Sequence, residues 1–105
     1  MAPQDPFIYK IKQTVQNVNA SATVILYGSH ARGDFKTTSD WDILILATEP
    51  VNFKTEEKYS YPLYELEWET GNVISVLVKS AQDWESPRYK VTPLYKNIQK
   101  DGIRL

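Results

Sequence analysis

Phe7, Ile8, Ile11, Val15 and Val18 recur at spacings of three and four, while Lys10, Lys12, Gln13 and Gln16 fall between them. That pattern predicts a helix with one apolar face. Asp5 followed by Pro6 supplies an N-cap and a proline at the first helical position, where its missing N–H is not needed, so the helix should begin there. Asn19 to Ala22 reads as its end and a linker. Thr23 to Tyr27 is then a β-branched and apolar run stopped by Gly28, too short for a helix of its own, and predicts a buried strand. Trp41 to Thr48 and Val73 to Val78 predict a second and a third strand on the same grounds.

Between the second and third strands, Thr55 to Thr70 reads as largely helical, ending at Gly71–Asn72, with Pro62 marking a start or a kink. Leu63, Leu66 and Trp68 can also be read as alternating with Tyr64, Glu65 and Glu67, which leaves a strand as the second reading there. Ser80 is expected to cap a short helix through Trp84 and Glu85 that Ser86–Pro87 interrupts. Thr92–Pro93 should open a last helix reaching Lys100 before Gly102. Strands separated by helices point to an α/β (α+β) class, a small mixed β-sheet with helices packed on it.

The 105 residues predict a single domain, 1–105, because a chain of this length buries one core and not two. There is no cysteine, so disulfides, cysteine zinc sites and thiol nucleophiles are excluded, and the composition fits a reducing, cytoplasmic setting. The longest apolar run, Ile43 to Ala47, is too short to cross a bilayer, and Pro3, Gln4, Asp5 and Pro6 stand where a signal peptide would carry basic and apolar residues. Twelve basic against thirteen acidic side chains argue against a domain built mainly to hold nucleic acid by its phosphates.

Two chemical signals lie between Leu26 and Leu46. The first is a strand ending in Gly28–Ser29, followed by an Ala31–Arg32–Gly33 turn. Glycine lets a backbone approach an anion closely, and turn N–H groups, the Ser29 hydroxyl and the Arg32 guanidinium can hold phosphate oxygens. The ordinary alternative is a plain turn with Arg32 covering a surface carboxylate. The second signal is Asp40 and Asp42 at the start of an apolar strand. Residues i and i+2 share a face, so these carboxylates converge while Trp41 and Ile43 point the other way. Oxygen ligation by one or two carboxylates suits Mg²⁺, which completes its shell with water and substrate phosphate. The bland alternative is a Ser39–Asp40 turn and an exposed edge residue.

Together these residues resemble the signature of the nucleotidyltransferase superfamily that includes the minimal nucleotidyltransferases, relatives of DNA polymerase β. Its pattern is Gly-Ser-x-Ala-Arg-Gly after a strand and then Asp-x-Asp on the next strand. Gly28, Ser29, Ala31, Arg32 and Gly33 match, ten residues from His30 to Ser39 intervene, and Asp40 and Asp42 follow. The resemblance implies the nucleotidyltransferase fold, with Asp40 and Asp42 as catalytic Mg²⁺ ligands and Gly28, Ser29 and Arg32 on the phosphates of a nucleoside triphosphate, ATP or another. It implies transfer of a nucleoside monophosphate to a hydroxyl, on a protein among other acceptors. It also implies a helical HEPN-type partner in a toxin–antitoxin pair, this chain being the antitoxin. Active members carry a third carboxylate on the following strand, where this chain has Ser75 as the only polar residue of Val73 to Val78. Glu65, Glu67 or Glu69, or the partner substrate, would have to supply it. Otherwise the domain is a catalytically degraded module that binds a nucleotide or a partner. His30 sits at a variable position of the pattern and is expected to face solvent. Tyr59, Tyr61, Tyr64, Trp68, Trp84, Tyr89 and Tyr95 read as core and rim, with a base-stacking surface as the alternative.

Overall fold

A computed structural model describes residues 5–105; Pro3 and Gln4 of the polar amino-terminal stretch lie outside it. Helix α1 (Pro6–Val18) begins where the Asp5–Pro6 pair predicts, and the Asp5 carboxylate accepts the Phe7 N–H at 2.9 Å. Strand β1 (Thr23–Tyr27) leads into a one-turn helix, α2 (Ser29–Arg32), and strand β2 (Trp41–Ala47) follows. The segment with two readings is a helix, α3 (Phe53–Thr70), capped by the Asn52 side chain, with Pro62 in its interior. Its Tyr59, Leu63 and Leu66 lie at helical spacing and are buried, so packing overrides the apparent alternation.

Strand β3 runs Ile74–Ser80, shifted towards the C-terminus from the expected Val73–Val78 because Lys79 and Ser80 continue the pairing with β2. Ser80 caps the short α4 (Ala81–Trp84). Ser86–Pro87 ends that helix as expected and also opens another single turn, α5 (Pro87–Lys90). Helix α6 (Pro93–Asp101) is capped by Thr92, and a two-residue strand, β4 (Ile103–Arg104), closes the chain's pairing.

The sheet order is β3-β2-β1-β4, with β2 parallel to β3 and β1 antiparallel to both β2 and β4. Alternation along the strands divides the apolar residues between two faces. Val24, Leu26, Trp41, Ile43, Ile45 and Ala47 pack under α1 and α3 in the larger core. Leu44 packs with Trp84 and Ile98 in a smaller one beneath α4 and α6, joined by Ile25, Leu46 and Leu77. The mixed sheet with helices on it is the expected class. Among the described residues no helix is long and apolar enough to cross a membrane.

Candidate functional site at the ends of β1 and β2

Tyr27, Asp42 and Ser75 lie side by side across the sheet, because Tyr27 pairs with Asp42 and Asp42 with Ser75. By alternation they share the face of the smaller core, one step beyond its last apolar residues. Trp41 and Ile43 point into the other core, as the spacing predicts. The chain turns sharply after Tyr27. Gly28 has φ +73°, and a Cβ there would stand 2.1 Å from Oδ2 of Asp42. Only glycine allows the turn and the aspartate to sit against each other.

Gly28 also opens α2: its carbonyl accepts the N–H groups of Ala31 and Arg32, both at 3.1 Å, and it offers no side chain to cap the first turn. The sequence shows a turn at Ala31–Arg32–Gly33; the structure makes it a helical turn beginning at Ser29. Tyr27, Gly28, Ser29, Arg32 and Asp42 together line an open cavity of about 490 Å³. Arg32 also donates through Nε to Asp34 at 3.2 Å, so it covers a carboxylate and borders the cavity at once.

Asp40 lies just before β2, is exposed and is not part of the cavity wall, yet its charge reaches Asp42. Burial first, and then Asp40, hold the Asp42 carboxyl above the ordinary carboxylate range, against the opposing pull of His30 and Arg32. Burial and the Asp42 charge likewise push the Tyr27 phenol up.

A sequence model of the nucleotidyltransferase domain matches residues 8–105. The chain belongs to that family. Its fold is like that of a chain in the crystal structure of a toxin-antitoxin MntA-HpeT mutant, with a TM-score of 0.64 and 17% identity over 93% of this chain and 70% of that one. No curated protein matches the sequence.

The nucleotidyltransferase domain departs from its sequence reading at His30. The ring is buried, not solvent-facing. It stacks on Trp41 at 3.6 Å between centroids and on Phe35 at 4.4 Å, and its Nε2 donates to the Ser39 carbonyl at 3.3 Å. The three rings hold the segment leading to Asp40 against the start of β2. No periodicity or motif announces this, because the partners come from a loop and a strand.

The glutamates of α3 do not replace the missing carboxylate. Glu65 and Glu69 line a groove with Thr14 and Asn17 between α1 and α3, under the other face of the sheet. Glu67 accepts the Ile74 N–H at 2.9 Å. Among the described residues no three His, Asp or Glu side chains are gathered to hold one metal ion. The aromatic residues divide too: Tyr59 and Trp84 are core, whereas Tyr61, Tyr64 and Trp68 are exposed on α3, away from the cavity. A residue that the sequence did not single out, Asp101 of α6, lines the cavity with Leu94 and Asn97.

Proposed function

We propose that this nucleotidyltransferase domain, acting as a single unit over residues 1–105, transfers a nucleoside monophosphate from ATP or another nucleoside triphosphate to a hydroxyl acceptor with Mg²⁺. The observation that carries the reading is the contact of Asp42 with Gly28, which joins the acidic strand to the phosphate-type turn in one cavity. Asp40 and Asp42 form an all-oxygen pair whose mutual repulsion a cation would relieve, and one or two carboxylates plus substrate phosphates are what Mg²⁺ takes. Bound there, Mg²⁺ would supply charge neutralisation on the phosphate oxygens. Ser29 and Arg32 would donate hydrogen bonds to those oxygens, and Gly28 keeps the backbone close enough for them to be reached.

The acceptor oxygen bonds the α-phosphorus while the bond from that phosphorus to its bridging oxygen breaks. The electron pair leaves with pyrophosphate. The hydroxyl proton passes to water, since Ser75, beside Asp42, is no base at neutral pH. In-line displacement of this kind depends on positioning and charge stabilisation more than on covalent help. The toxin-antitoxin relative supports a protein as acceptor or partner, and the motif resemblance supports a HEPN-type one.

The test incubates the purified domain with Mg²⁺, α-labelled ATP and the candidate partner. Label should move to the partner, stop on metal chelation, and fall at least about a hundredfold in Asp42→Asn. Labelling that survives loss of both aspartates would overturn the metal assignment. Ser75 in register with Asp42 favours a second reading, a degraded module that binds nucleotide without turnover. Calorimetry showing Mg²⁺-dependent binding of ATP with no transfer to any acceptor would select it.

A further inference from the structure

The cavity has two walls of different character. β1 and α2 contribute the phosphate-type groups Ser29 and Arg32, whereas α6 contributes Leu94, Asn97 and Asp101. Those three are spaced by three and four residues and so share one face of the helix. The carboxylate is the informative member. A polyphosphate beside Ser29 and Arg32 repels an acid lining the same cavity unless that acid meets a cation or a hydrogen-bond donor. Sharing a cation with the aspartate pair does not fit, because no three acidic or imidazole groups converge among the described residues. An ionised carboxylate only accepts hydrogen bonds, and two neighbouring sugar hydroxyls are donors matched to its two oxygens.

Asp101 is also held firmly at the cavity. It ends α6, and the next residue brings that end down on the sheet. The Gly102 N–H donates to the Ile98 carbonyl at 2.7 Å, and a Cβ on Gly102 would stand 2.4 Å from that oxygen and 3.1 Å from the Ile25 side chain. Ile103 and Arg104 then pair with Leu26 and Ile25, and the Leu105 N–H donates to the Val24 carbonyl. β1, whose far end is the Gly28–Ser29 turn, therefore also anchors the carboxylate. Two groups fixed to one strand keep their spacing without any closing motion.

We propose that Asp101 accepts hydrogen bonds from the ribose hydroxyls of the nucleoside triphosphate, with Leu94 and Asn97 against the nucleoside, so that α6 selects ribonucleotides over deoxyribonucleotides. This rests on the nucleotide-binding reading above. The experiment is calorimetry with Mg²⁺ and three probes: ATP, 2′-deoxy-ATP and inorganic tripolyphosphate. The protein should bind ATP about tenfold more tightly than 2′-deoxy-ATP, the factor expected for one hydrogen bond to a charged group. Asp101→Ala should erase that preference and leave tripolyphosphate binding unchanged, which also shows that the variant is folded. Should Asp101→Ala not fold, Asp101→Asn should narrow the gap. Equal affinity of the wild type for the two nucleotides overturns the proposal. So does a preference that survives substitution, or a parallel loss of tripolyphosphate affinity. If the wild type binds none of the three probes, the nucleotide-binding reading itself fails. If it binds all three alike, that reading stands and only the role of Asp101 falls.

Discussion

The two faces of the sheet are built from the same strands and finished differently. Under α1 and α3 the face is apolar along the whole length of β2, where Trp41, Ile43, Ile45 and Ala47 are all buried. Under α4 and α6 it is apolar only in its farther part, where Leu44 meets Trp84 and Ile98. The near end carries Tyr27, Asp42 and Ser75 beside an open cavity. Adjacent residues of one strand thus face an enclosed core and an open cavity separately. Because their side chains leave the backbone in opposite directions, Asp42 can hold a shifted carboxyl while Ile43, one residue on, is fully enclosed.

That division can be tested by substitution, beginning with the closed face. Ile43→Ala should cost about 3 kcal/mol in chemical denaturation, with an unchanged denaturant slope, through lost burial and the cavity left behind. Nucleotide affinity of the folded fraction should be intact; a loss of binding without a loss of stability would break the comparison. Gly28→Ala acts on the open face and should cost about 2–3 kcal/mol, because the backbone there is nearly glycine-only and the new methyl collides with Asp42. It should also remove Mg²⁺-dependent nucleotide binding, measured by calorimetry.

His30→Ala sits at the junction of the two faces. It should cost about 1–2 kcal/mol and speed amide exchange from Asp34 to Asp40, since the stack on Trp41 and Phe35 and the bond to Ser39 are lost together. The smallest effect on stability is expected for Asp42→Asn. Its carboxyl is raised in the folded state, so between the ordinary carboxylate range and that raised value the native protein holds a proton that the unfolded chain has released. Stability without metal therefore rises as pH falls through this window, and at neutral pH the ionised carboxylate is a burden. Asp42→Asn should raise Tm by about 1–3 °C at pH 7 and flatten that dependence. A drop in Tm would show that the carboxylate holds the fold together.

What could be read from the sequence was whatever depends on neighbours in the chain. The Asp5–Pro6 start of α1, the limits of β1, and the turning of Trp41 and Ile43 into the core away from Asp42 follow from local period and capping, whereas Asp40 stands before β2 and outside the cavity. The grouping of Gly28, Ser29, Arg32 and Asp42 was legible too, because antiparallel pairing of β1 with β2 brings the start of the second strand beside the end of the first. What escaped depends on contacts made across the sheet. β4 is two residues long and has no pattern of its own, yet it decides where Asp101 lies. His30 looks like an exposed polar residue until Phe35 and Trp41 close on either side of it. α3 carries alternating residues that mimic a strand, and only the packing of Tyr59, Leu63 and Leu66 settles it as a helix.

The ring stack has one practical consequence. The three tryptophans occupy three unlike surroundings: Trp68 stands in solvent, Trp84 is enclosed in the smaller core, and Trp41 lies beneath an imidazole between the two aspartates in sequence. The indole of Trp41 is therefore an intrinsic optical probe at the acidic pair. Its emission, isolated by replacing the other two with phenylalanine, should change when a cation is added and stay constant when only the distant helices are disturbed.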